Sequence, residues 1–170
     1  MQLLIVRHAD AGDAEEFAKT GQPDSLRPLS AKGRKQMRTA ARALVDLIPR
    51  ADVIVTSPLT RAVQTSDLLA KVYAKSTERE TTVTLEPEKT PEEFLQWMIA
   101  YKDVETAIAV GHEPHLSVLV TWLLTGSADS RIELKKGGAC LLEFDGRPVK
   151  GEGVLRWLFA PKHLKALSVA

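Results

Sequence analysis

Two histidines and two arginines stand where short apolar runs of this sequence end. Arg7 and His8 close the first run, Arg61 lies just past Ser57 at the close of the second, and Gly111-His112-Glu113 closes another. Guanidinium groups bind phosphate oxygens in pairs, so Arg7 and Arg61 suit a phosphoryl group. A neutral imidazole, with an unperturbed pKa of ~6.5, is a competent nucleophile near pH 7. It can take a phosphoryl group covalently and pass it to water, splitting one hard step into two. Phosphoryl transfer asks mainly for positioning and charge stabilisation, which the arginines and the second histidine can supply. His8 is therefore expected to be the nucleophile and His112 a stabiliser of the transferring group.

These residues need elements that bring them together, and the hydrophobic pattern supplies them. Gln2–Val6, Asp52–Thr56, Thr82–Leu85 and Thr106–Val110 read as short strands. Between them lie amphipathic stretches. Ala31–Ile48 follows Ser30 as N-cap, and Pro58–Tyr73 has Ser57 as cap with Pro58 at the first helical position. A capping box at Thr90–Glu93 opens a helix running to Tyr101, and Pro114–Thr125 is stopped by Gly126. Strand then helix, repeated, predicts an α/β fold: a three-layer αβα sandwich around a mainly parallel sheet. Ala139–Phe144 and Val154–Phe159 flank a Gly/Pro-rich loop and predict antiparallel strands at the C-terminal end. Ligands of such sheets bind at the carboxyl ends of the strands, which is where the four residues stand.

Two features of the second and first connections bear on the same site. An arginine in the first turn of a helix opposes the helix dipole, and a bound anion reverses the sign of that interaction. The stretch from Ala9 to Leu29 is long for a connection, with a short helix expected at Ala14–Lys19. Because it leaves directly from Arg7-His8, it is expected to face the substrate as a lid.

Composition narrows the class of protein. The 170 residues are 44% hydrophobic and 26% charged, which excludes disorder and predicts one globular domain over 1–170. With 23 Lys and Arg against 22 Asp and Glu, the near-neutral balance argues against a general nucleic-acid or membrane-surface binder. The apolar start is broken by Arg7, His8 and Asp10, so neither a signal peptide nor a membrane helix is expected, and the location expected is cytoplasmic. Charge is nevertheless patterned. Arg27 to Arg42 holds six basic residues and no acidic one, whereas Thr77 to Glu93 holds six glutamates against Arg79 and Lys89. Arg34, Arg38 and Arg42 form a stripe that is either solvated or steers an acidic or phosphorylated partner.

Taken together, these segments resemble the histidine phosphatase superfamily, the phosphoglycerate-mutase-like fold. Arg7-His8 is similar to its first motif, Ser57-Pro58-Leu59-Thr60-Arg61-Ala62-Val63-Gln64-Thr65 to its second, and Val110-Gly111-His112 to its third. Within it the chain is most similar to the SixA-type phosphohistidine phosphatases, through Arg27-Pro28-Leu29-Ser30, Gly111-His112-Glu113-Pro114, Gly137-Gly138-Ala139 and Trp157-Leu158-Phe159-Ala160-Pro161-Lys162. The resemblance implies a phosphatase with His8 as phosphoryl acceptor and Arg7, Arg61 and His112 completing the phosphate pocket. It adds Arg27 and Ser57 as substrate contacts. It implies no metal or organic cofactor, and a substrate that is a phosphohistidine-bearing protein or a small phosphomonoester. Ala9 stands where the superfamily usually has glycine. A catalytically inactive phosphate-binding module is the non-enzymatic alternative.

The resemblance leaves the general acid open. Glu113 follows the second histidine, as the acid does in one branch; Glu86 and Glu88 lie where the mutase branch keeps its acid; Asp10 is a further candidate. An alcohol leaving group needs a proton donor, while an imidazole, with a pKa of ~6.5, needs far less help. Two other chemistries are disfavoured. His112 and His115 are three apart with a proline between, unlike a zincin pair, and the lone Cys140 sits in a strand pattern as a small hydrophobe.

Overall fold

Strand β1 (Gln2–Arg7) is apolar throughout its interior because it lies inside a sheet covered on both faces. The computed structural model describes residues 1–168. After β1 come α1 (Ala14–Ala18), α2 (Ala31–Leu47), β2 (Val53–Thr56), α3 (Thr60–Ala70), β3 (Glu78–Thr81), α4 (Pro91–Met98) and β4 (Thr106–Gly111). The chain continues through α5 (His115–Thr125), β5 (Ala139–Glu143), β6 (Val154–Phe159) and α6 (Pro161–Leu167). The six strands form one sheet in the order β3-β2-β4-β1-β5-β6. The first four are parallel; β5 runs antiparallel to β1, and β6 antiparallel to β5.

Period-two alternation sorts the strand side chains into two cores. Leu4, Val6, Ile54, Ile108, Val110 and Leu141 pack with Met37, Leu44, Leu69 and Leu164 beneath α2, α3 and α6. Leu3, Ile5, Val53, Val55, Ala109 and Leu142 pack with Phe94, Leu116, Leu119 and Leu123 beneath α4 and α5. The expected three-layer α/β architecture, mainly parallel with antiparallel C-terminal strands, is what the structure has. Among the described residues no helix is long and apolar enough to cross a membrane.

Three expectations are corrected. The third strand is Glu78–Thr81, and Val83–Leu85 is a 3₁₀ turn. Thr82 accepts a hydrogen bond from the Thr84 N–H, a local bond that competes with a strand ladder. The true strand sits at the sheet edge with all four residues exposed, so it carries no apolar signature. Helix α3 begins at Thr60, with Leu59 as N-cap, instead of at Pro58. Ser57 extends the sheet, its N–H donating to the Val110 carbonyl at 3.0 Å, and Leu59 keeps an extended backbone at φ −66° and ψ 133°, so the helical run starts only at Thr60. Helix α6 was not foreseen, because seven residues with one buried side chain, Leu164, give too little periodicity to read.

The N-terminus of α2 is pinned to the chain just beyond His8. Ser30 donates through N to the Asp10 carbonyl at 2.9 Å and through Oγ to Asp10 Oδ2 at 2.6 Å, and accepts from Gly33 N. A Cβ added at Gly33 would lie 2.0 Å from the Asp10 carbonyl oxygen, so only glycine lets the helix approach this closely. Gly33→Ala is expected to destabilise the protein by about 1–3 kcal/mol, as overpacking does. It should also lower turnover by displacing the backbone next to His8; thermal unfolding and steady-state kinetics on one preparation check both.

Candidate active site

The site is assembled by the parallel pairing of β1, β4 and β2. Arg7 is in register with Gly111, and His8 N donates to the Gly111 carbonyl at 3.0 Å. That register sets the first residues past the two strands, His8 and His112, side by side, with ring centroids 4.9 Å apart. On the other side of β4, Ser57 N is bonded to Val110, which brings the start of α3 and Arg61 to the same edge. His8, His112 and Arg61 are all buried, at 5%, 2% and 5% exposure.

The hydrogen bonds of the two histidines define which nitrogen does what. His8 Nδ1 lies 2.7 Å from the Ala9 carbonyl oxygen, which can only accept. Nδ1 therefore carries the proton, and the lone pair is on Nε2, free for attack. His112 Nε2 lies 2.9 Å from Ser57 Oγ, which also accepts from Leu59 N at 3.3 Å. With Leu59 N donating to Oγ, the Ser57 hydroxyl is free to donate to Nε2, which puts the His112 proton on Nδ1. That buried atom has no partner within the protein, so it is available to a phosphate oxygen. Ser57 was expected to contact the substrate and to cap the helix; the structure bonds it to His112 and places Leu59 at the N-cap.

Burial above all holds both imidazoles neutral. The His8 pKa is lowered to about 4, by desolvation and then by Arg61, Arg7 and Lys136, partly offset by the bond to Ala9. That of His112 is lowered to about 2, by desolvation and then by His8, Arg61, His115 and Arg7. Neutral His8 is the nucleophilic form. Burial also lowers the pKa of Arg61, against the pull of Asp24, whose carboxylate reaches Arg61 Nη1 at 3.0 Å. Arg61 Nε and Arg7 Nε are buried without partners in the protein, two further donors for an anion.

The remaining candidates are brought near the site but are committed to other tasks. Arg27 donates through Nε to Asp24 Oδ1 at 2.7 Å and through Nη1 to the Ala11 and Gly12 carbonyls. It braces the 9–29 connection, which folds into α1 and a 3₁₀ turn at Asp24–Leu26 and returns to the site through Asp24. Glu113 accepts at Oε1 from Leu134 N at 3.1 Å, and at Oε2 from Ser117. Leu134 in turn accepts at its carbonyl from Arg7 Nη1 at 2.7 Å. Glu113 therefore fixes the segment that aims Arg7, with both oxygens used as acceptors. Asp10 is also held as an acceptor: the Ser30 hydroxyl lowers its pKa, against burial, and the Gly12 N–H and Lys136 reinforce the shift. Glu88 is exposed, and half-buried Glu86 follows Leu85, whose carbonyl packs against Gly111. Among the described residues no group of three or more His, Cys, Asp or Glu is placed to hold a metal ion.

Sequence reasoning missed three contributors. Thr65 accepts from Ala9 N at 3.1 Å and donates to the Arg61 carbonyl; its spacing of four from Arg61 on one helix face was a readable signal. Asp24, three residues before Arg27, was readable as an ion-pair partner. The Leu134 carbonyl was not, since a backbone acceptor carries no residue-type signature.

Comparison with known proteins places this site. The profile described as the histidine phosphatase superfamily (branch 1) matches residues 3–85. The chain is 31% identical over 140 residues to an uncharacterized protein of Picosynechococcus sp., covering 81% of this chain and 82% of that one. It is 26% identical to the phosphohistidine phosphatase SixA of Escherichia coli, across 97% of both chains. A solved structure of the protein histidine phosphatase SixA, complexed with tungstate, superposes with a TM-score of 0.81 at 25% identity, over 97% of this chain and 100% of that one. The α-ribazole phosphatase of Shigella flexneri shares the fold, with a TM-score of 0.73 at 17% identity over 95% and 97%. The chain belongs to the histidine phosphatase superfamily. Its structure is close to that of SixA, and its neighbours include phosphatases of small molecules.

Two measurements test this geometry. If Glu113 braces Arg7, Glu113→Ala should lower kcat/KM ten- to a hundredfold, the scale of a displaced clamp, and Glu113→Gln should recover part of it. The loss should be the same for leaving groups of high and low pKa; a loss that grows with leaving-group pKa would make Glu113 the acid instead. In pH dependence, His8 and His112 protonate at pH ~6.5 only when unfolded, so the unfolded state binds more protons below that pH. Stability should be fully present above pH 6.5 and fall on acidification by up to about 1.4 kcal/mol per pH unit for each histidine. Urea unfolding at pH 7, 6 and 5 should show this slope, and His112→Gln should flatten it.

Proposed function

We propose that residues 1–170 act as one histidine-phosphatase domain, cytoplasmic and independent of metal, that removes the phosphoryl group of a phosphohistidine-bearing protein through a covalent phosphohistidine on His8. The observation that carries this reading is the tautomer of His8. Its Nδ1 proton is spent on Ala9, so the Nε2 lone pair faces the space shared by His112 and the two arginines. In the first step Nε2 bonds to phosphorus as the substrate's N–P bond breaks, and the substrate ring, protonated at its other nitrogen, departs as neutral imidazole. Water then attacks phosphorus, the His8–P bond breaks, and phosphate leaves with His8 neutral again. Arg7, Arg61 and the His112 Nδ1 proton hold the phosphoryl oxygens through both steps.

The leaving group supports the finer choice of substrate. Glu113 and Asp10 are committed as acceptors, and an imidazole with a pKa of ~6.5 departs with little help. A small phosphomonoester is the second reading, favoured by the α-ribazole phosphatase among the structural neighbours. An inactive phosphate-binding module is disfavoured because His8, Arg7, Arg61 and His112 are all in place.

His8→Ala is expected to abolish turnover of p-nitrophenyl phosphate while leaving the unfolding transition unchanged. Rapid quench of the wild-type protein should trap an acid-labile, base-stable phosphoenzyme. The decisive comparison is kcat/KM for a phosphohistidine polypeptide against sugar phosphates and other metabolite esters; a large advantage for the esters would replace the protein substrate with a small molecule.

A further inference from the structure

A basic groove runs between α2 and α6, beside the site and outside the catalytic machinery. It has a volume of about 380 Å³ and is lined by Lys32, Lys35, Gln36 and Thr39 of α2 and by Pro161, Lys162 and Lys165 of α6. No carboxylate lines it, and none of its four lysines forms an ion pair among the described residues. Four like charges around one concavity are unfavourable for the isolated protein, and an anionic partner removes the cost. Between the ammonium groups the walls are Pro161, Thr39 and lysine methylenes, a surface that a polypeptide can pack against.

The groove's Pro161 wall lies next to the strand end that carries His8. Gly137 separates the two: a Cβ at this position would lie 3.7 Å from Pro161 Cγ and 3.8 Å from Ala9 Cα. The Gly137 N–H donates to the Arg7 and His8 carbonyls, so the groove wall is fixed to the strand end bearing the nucleophile. Lys136, 3.6 Å from Asp10 Oδ1, and Lys32 both face the Asp10 carboxylate between the groove and the strand end.

We infer that this groove docks an acidic segment of the substrate protein and so delivers its phosphohistidine to His8. The inference rests on the phosphohistidine-protein reading and adds to it where the partner binds and what charge it carries. The near-neutral whole chain makes the attraction local to this face, which favours an acidic polypeptide over a long nucleic acid.

Two synthetic histidine peptides, phosphorylated with phosphoramidate, test it: one with the histidine flanked by Asp and Glu, the other by Ser and Gln. Wild type should show a kcat/KM about tenfold higher for the acidic peptide, carried by KM and lost at high salt. Replacing all four lysines by glutamate (K32E, K35E, K162E and K165E together) should remove or reverse that preference. Turnover of the neutral peptide and of p-nitrophenyl phosphate should stay unchanged, which shows that the fold and His8 are intact. The milder pair K35Q and K162Q should reduce the preference in the same direction if the fourfold variant does not fold. Equal rates for the two peptides, or a preference that survives the charge reversal, would overturn the docking site. Inhibition by an oligonucleotide as strong as by polyglutamate of equal charge would replace the acidic segment with a nonspecific polyanion site. Turnover of p-nitrophenyl phosphate with neither peptide hydrolysed would instead remove the phosphohistidine reading beneath it.

Discussion

The register of β1 against β4 is the constraint on which the rest of this structure depends. One parallel ladder, extended by the bond from His8 N to the Gly111 carbonyl, sets the two histidines on adjacent strand ends. Because the strand side chains alternate between two cores, a slip of one residue would turn Leu4 and Val6 into the space of Leu3 and Ile5. The hydrophobic cores therefore fix the catalytic geometry. The burial that makes the register unique also removes water from His8 and His112, and desolvation is the largest cause of their lowered pKa values. The packing that fixes the register is thus the same packing that keeps both imidazoles neutral.

Around this pair, the site is held by groups that do no chemistry themselves. Ser57 orients His112, Thr65 receives the Ala9 N–H, and the Leu134 carbonyl holds Arg7. Glu113 anchors Leu134 in turn. Asp24 links Arg61 to Arg27, and through them ties the long connection after His8 back to the start of α3. These contacts restrain both arginines before any anion binds, which lowers the cost of ordering them around a phosphoryl group.

Much of the fold was legible because its elements carry strong local signals. Ser30 and the Thr90–Glu93 capping box announced their helices, and Gly126 ended α5 in the left-handed conformation at φ 77°. Errors fell where a tertiary bond outweighed local preference. Pro58 suits a first helical position, but the chain stays extended through Leu59 and the helix starts only at Thr60. Val83 and Leu85 alternate like a strand, yet the ladder is made by the exposed Glu78–Thr81 segment through backbone pairing to β2.

By itself, the sequence determined the chemical types at the strand ends: two histidines and two arginines suited to phosphoryl transfer, in an α/β order that sends them to one edge. Residue type and hydrophobic period are local properties, so they can be read from the chain. Tertiary structure alone decided the working details: that both Glu113 oxygens are taken up by Leu134 and Ser117, that the Leu134 carbonyl holds Arg7, and that a lysine-lined groove forms between α2 and α6. The Arg7–Leu134 and Glu113–Leu134 bonds and the α2–α6 groove join residues far apart in the chain, and only the packed sheet brings those atoms together.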